Sequence, residues 1–156
     1  MKRWLIIVPL AAVVAAALWI YGAAERQAGY YGLPVVACID PTLPVRQNFS
    51  LKIQINISGK DVPLAPGIGH DPGKCLRAIH TNDSSGTVFI VSNDSDRPYT
   101  LMDFFNVWHE RFSSTELLGH FTTATHSLQV FVDGVPVKTF ADTLLKANQT
   151  ILIRYN

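Results

Sequence analysis

Residues 4–24 carry no charged side chain. This one stretch divides what the chain can become, because about 20 apolar residues in a helix span the hydrocarbon core of a bilayer. Lys2 and Arg3 come immediately before it; positive residues stay on the cytoplasmic side, so the expected topology is N-terminus in and C-terminus out. Trp4 at one end and Trp19 with Tyr21 at the other suit the two interfaces, where amphipathic rings prefer to lie. Gly22, Ala23 and Ala24 also offer the small residues of a signal-peptidase site, so the competing expectation is a cleaved signal peptide and a secreted product. The run is longer than the ~7–15 residues of a typical signal-peptide core, which favours a retained anchor over residues 1–24. Either way, everything after about residue 25 is expected outside the cytoplasm.

Export sets how the cysteines and asparagines are read. Cys38 and Cys75 both fall in the exported part, where an even number of cysteines usually forms disulfides. A bond between them would be worth roughly 3 to 4 kcal/mol by chain entropy, less any strain. Five of the seven asparagines begin an N-x-S/T sequon: Asn48, Asn56, Asn82, Asn93 and Asn148. They are the candidate glycosylation sites, with Asn93 in a polar loop the foremost; the bland alternative is that Asn, Ser and Thr gather in turns anyway. Thirteen Lys and Arg against 12 Asp and Glu leave no basic excess for neutralising phosphates, so no nucleic-acid partner is expected.

Pro34, Pro41 and Pro44 and a lack of periodicity make residues 25–47 a stalk. The body is expected over residues 48–156. Leu51, Ile53, Ile55 and Ile57 alternate with polar residues, which predicts a half-buried strand. Further strands are expected over residues 62–64, 76–80 and 87–92. Thr100 and Asp103 form a capping pattern ahead of Leu101, Phe104, Phe105 and Trp108 at helical spacing, predicting a helix over residues 101–109 whose aromatics are core. Ser113, Glu116 and Gly119 mark a second short helical turn. Asp133-Gly134 sits between apolar runs as a type I′ hairpin turn, and residues 151–155 close the chain as a strand. The expected fold is mainly β (α+β), a small sandwich-like or β-grasp-like domain with one or two short helices behind an N-terminal transmembrane helix.

The densest polar cluster runs from His70 and Asp71 through Cys75, His80 and Asp83 to Gly86, and its residue types bind zinc or copper. A blue-copper site would need Cys75 as a free thiolate, which export argues against. A sulfur-free candidate metal site consists of His80 and Asp83 with His70, His120 or His126 brought in by the fold. The competing reading has His80 and Asp83 holding the turn at residues 82–86 by hydrogen bonds. No G-x-S-x-G elbow, H-E-x-x-H pair or phosphate-cradling loop occurs, so no enzyme class and no catalytic residue is assigned.

The stretch Cys75, His80-Thr-Asn-Asp83-Ser-Ser-Gly86 and the apolar run behind it, followed by Tyr99-Thr-Leu-Met-Asp103-Phe-Phe-Asn-Val-Trp108, resembles an uncharacterised family of secreted or membrane-anchored prokaryotic, often archaeal, proteins. Their shared pattern is a Cys, then His-Thr-His-Asp-x-Ser-Gly, a hydrophobic strand containing His, and Tyr-Thr-Leu-x-Asp-Phe-Phe-x-x-Trp. The likeness covers about residues 51–155. It implies no activity, though the paired histidines of the pattern imply a metal. Asn82 stands at the second of those histidines, and Phe89 or its neighbour replaces the histidine of the strand, so the resemblance speaks more for the fold than for a metal.

Together these readings predict a single-pass, membrane-anchored extracytoplasmic domain that acts as a non-enzymatic binding module of the cell envelope. The alternatives are a copper- or zinc-handling domain and an accessory subunit of a membrane enzyme complex.

Overall fold

The computed structural model describes residues 36–156 apart from Lys74. The expected membrane segment and the first part of the stalk lie outside the described residues, among which no helix is long and apolar enough to cross a membrane.

The alternation read in the sequence is the spine of the domain. In β1 (Gln47–Ile57), Leu51, Ile53 and Ile55 are no more than 3% exposed, while Lys52 and Gln54 on the opposite face meet solvent. A strand with a period of two buries one face and wets the other. β1 pairs in parallel with β11 (Thr150–Tyr155) on one side. On its other side it pairs antiparallel first with β6 (Thr87–Ser92) and then, over its last three residues, with β2 (Lys60–Val62). The expected strand at residues 62–64 is shifted to this shorter ladder; Pro63 has no N–H to extend it. Gly86 lies where β1 changes partner: its carbonyl accepts the Ile53 N–H at 2.8 Å, its φ is +86°, and a Cβ there would sit 2.7 Å from the Ile53 carbonyl oxygen.

The sheet continues from β11 to β9 (Leu128–Val132) and β10 (Val135–Val137), and from β6 to β5 (Ile79–His80), for seven strands in all. Asp133 and Gly134 both have positive φ, as their sequence predicts for the tight β9–β10 turn.

The long return from β6 to the far side of the sheet carries α1 (Leu101–Trp108). Thr100 and Asp103 form the expected capping box: the Asp103 N–H donates to Thr100 Oγ1 at 3.3 Å and the Thr100 N–H to Asp103 Oδ2 at 2.9 Å. Such a cap contributes about 1 kcal/mol. Leu101, Phe104 and Phe105 are fully buried and join Ile53, Ile90, Val130 and Ile153 in one core, while Trp108 is half-buried at its edge. Phe105 stacks on Phe112 at 4.5 Å between centroids. Each such ring contributes about 2–3 kcal/mol by its burial.

Two further expected elements differ. The strand expected over residues 76–80 is broken between two ladders: β4 (Cys75–Leu76) pairs with β3 (His70–Asp71), and β5 pairs with β6. The Ala78 N–H turns aside to the Ala37 carbonyl, and Arg77 bridges to Cys38. The helical turn expected at residues 113–118 is instead a hairpin of β7 (Glu116–Leu117) and β8 (His120–Phe121). The Ser113 hydroxyl accepts the Thr115 N–H rather than capping a helix. Leu118 and Gly119 both take positive φ, which makes a hairpin turn of what read as a helix stop. Besides α1, the described residues hold one short 3-10 turn (Phe140–Asp142).

Cys38 and Cys75 are joined in a disulfide, with Cα atoms 5.7 Å apart. Residues 36–46, expected within the stalk, lie against the body. Val36 is 2% exposed, and the Ile39 N–H donates to the Leu76 carbonyl at 2.9 Å.

Candidate functional site

The site is built on β5. Because side chains alternate along a strand, Ile79 enters the core and His80 faces the other way, across from Phe89 of β6. The His80 ring stacks on Phe89 at 5.6 Å between centroids, and the His70 ring stands nearly perpendicular to it at 5.7 Å. Its Nδ1 lies 3.1 Å from the Arg77 carbonyl, and the residue is only 6% exposed. Burial holds its pKa below the ordinary 6.5, the bond to Arg77 opposes that shift, and the charge of His70 adds to it. The ring is therefore neutral at neutral pH.

Residues 67–70 bring His70 there. The Gly67 N–H donates to the Thr81 carbonyl and the Thr81 N–H to the Ile68 carbonyl, so this segment runs beside residues 79–81. Gly69 has a φ of +76°, and a side chain on it would collide with the Ile79 carbonyl, so the close approach needs glycine. Thr81 is fully buried: it donates its hydroxyl to Ala65 O and accepts from the Ile68 N–H. An Arg77–Asp71 ion pair borders the two histidines.

The five residues expected to form a metal site do not come together. His70 and His80 are neighbours. Asp83 is exposed in the turn, where hydrogen bonds from the Ser85 hydroxyl and N–H hold its carboxyl below the usual range. His120 and His126 lie at the other end of the sheet, flanking the Tyr155 ring at 5.4 and 5.7 Å. Tyr155 pairs with Ile57 and Phe89 with Ser50, so the two histidine pairs are separated by roughly 20 Å along β1 alone. Among the described residues no three His, Cys, Asp or Glu side chains gather as a metal site.

Family models, curated proteins and solved structures give no match to this chain.

The five sequon asparagines divide by what their amides do. Asn93 Nδ2 donates to the carbonyls of Asp40, Leu43 and Pro44, each at 3.2 Å, while its Oδ1 accepts the Asp40 N–H at 2.8 Å. Asn56 Nδ2 donates to Asp61 Oδ1 at 2.7 Å and its Oδ1 accepts the Gly59 N–H. Asn48, Asn82 and Asn148 are exposed. Sequence reasoning missed the Asn93 clamp and the buried bond from Tyr99 OH to Ser92 Oγ at 2.8 Å. A sequence separation of about 50 residues leaves no local signal for the first, and Tyr99 gave only an aromatic in a motif.

Proposed function

We propose that the chain is a single-pass, membrane-anchored extracytoplasmic domain of β-grasp-like architecture that acts as a non-enzymatic binding module of the cell envelope. The observation that carries this is the Cys38–Cys75 disulfide, which belongs to an oxidising compartment. It adds to the uncharged stretch at residues 4–24 with Lys2 and Arg3 before it. The β-grasp-like reading is supported by a central parallel β1–β11 pair flanked by antiparallel β6 and β9, with α1 in the crossover. The non-enzymatic reading is supported by the work the polar motif residues already do: Thr81, Asp83, Ser92, Thr100 and Asp103 all hold turns, caps or strand junctions. In the same way the two motifs that carry the family resemblance serve the fold, through Gly86, Tyr99, the capping box and the Phe104–Phe105 pair.

The test is cellular. The full chain is expressed with its own N-terminus, membranes are washed with alkaline carbonate, and cysteines are labelled with a maleimide before and after reduction. The chain is expected to stay with the membrane and to label only after reduction. A soluble product lacking residues 1–24 would refute the anchor, and free thiols in the intact cell would refute the compartment.

A further inference from the structure

We infer that His70 and His80 form a two-imidazole binding site for a borderline transition cation, with Cu2+ the preferred ion. The proposal stands apart from the tether and needs none of the other residues first considered as ligands.

Four observations carry it. The Nδ1 of His80 faces the Arg77 carbonyl, so the ring donates its proton there and presents the Nε2 lone pair, the tautomer arrangement that orients histidine ligands in metal proteins. That Nε2 makes no other hydrogen bond among the described residues and is not sealed from solvent. His70 is exposed and its ring likewise has no hydrogen bond among the described residues. Finally, the spacing fits. With bonds of about 2.0 Å to each nitrogen, each ring centroid lies about 3.2 Å from a shared cation. Two such rings are then separated by roughly 4.5 Å at a right angle and roughly 6.4 Å when linear. The observed 5.7 Å falls between these limits.

The donor set selects the ion. Both cysteines are in the disulfide, which removes thiolate, and Asp71 is held by Arg77. Two imidazoles with the remaining positions left to water suit Cu2+, Ni2+ or Zn2+, and the Irving–Williams order places Cu2+ first. Phe89 behind His80 holds that ring, and the close Gly69 approach sets the His70 backbone beside it, before the ion arrives.

The test uses the untagged full chain in mild detergent with its disulfide intact. Cu2+ is titrated while paramagnetic resonance counts the coordinating nitrogens, for the parent, His70→Ala, His80→Phe and the paired His120→Ala, His126→Ala variant. His80→Phe keeps a ring on Phe89, and His70→Ala alters only an exposed side chain. One equivalent with two nitrogen ligands is expected, weakened at least about tenfold by either site variant and unchanged by the distant pair. No stoichiometric binding, binding indifferent to a folded His70→Ala variant, or binding that follows the distant pair would each overturn it.

Discussion

Asn93→Asp is a change of one atom that tests how residues 40–44 are held. In the parent, two amide hydrogens serve three carbonyls, those of Asp40, Leu43 and Pro44, while Oδ1 takes the Asp40 N–H. The carboxylate keeps the last bond and loses the others. Two neutral hydrogen bonds at about 1 kcal/mol each give about 2 kcal/mol, and placing a carboxylate beside three carbonyl oxygens adds up to about 1 more. For a domain of about 120 residues the unfolding entropy is about 0.25 kcal/mol/K, so each kcal/mol moves Tm by about 4 °C. A fall of about 8–12 °C is expected by calorimetry, together with faster proteolytic nicking within residues 40–46. Protonation returns one donor to the introduced carboxyl, so its pKa is raised in the fold; the deficit must therefore narrow as pH falls through about 4. An unchanged Tm, or a deficit constant with pH, would refute the reasoning. So would a glycan found on Asn93 of the folded protein, because that linkage replaces one of the two hydrogens in use.

Two further outcomes follow from the same geometry. Replacing both Cys38 and Cys75 by Ala releases a loop spanning 37 residues in sequence, worth about 4 kcal/mol by chain entropy and about 15 °C in Tm; a drop below about 4 °C in a calorimetric scan would contradict that account. His80 has its pKa lowered by burial, so as pH falls through about 6.5 the unfolded chain takes up the proton before the native one and the fold loses stability. Thermal scans from about pH 7.5 to 5 should show a shallower acid-side decline in His80→Phe than in the parent, and identical slopes would mean that His80 is not the group responsible.

What could be read in the sequence is what short-range chemistry decides. The aliphatic alternation of β1, the Thr100–Asp103 capping box and the Asp133-Gly134 turn each need only neighbours within a few residues. The disulfide followed from there being two cysteines in a segment read as exported, a matter of count and expected compartment rather than geometry. The misread elements share a cause. Residues 76–80 have the composition of one strand, yet the partners that split them are Gly69, across the preceding turn, and Ala37, from a distant segment. Ser113 and Gly119 carry helix-end chemistry that serves a hairpin equally well. The candidate site was half legible for the same reason: the residue types in the cluster named His70 and His80 as potential ligands, but only the Gly69 approach makes them neighbours and leaves His120 and His126 far away.

One pair of tripeptides isolates the limit. Asn82-Asp-Ser and Asn93-Asp-Ser are the same sequence, and both fold locally in the same way: Asp83 Oδ1 accepts the Ser85 N–H and Asp94 Oδ1 accepts the Asp96 N–H, each two residues on. Local chemistry therefore assigns both the same hydrogen bond, correctly. Yet Asn82 is exposed, whereas Asn93 closes a clamp on a segment 49–53 residues away. The difference lies in residues 40–44, held nearby by the Cys38–Cys75 bond and by the Ile39–Leu76 hydrogen bond. Removing the disulfide should therefore weaken the clamp as well, so the effects of Asn93→Asp and the paired Cys→Ala change should be less than additive. Strict additivity in the triple variant would show that the two anchors hold residues 36–46 independently.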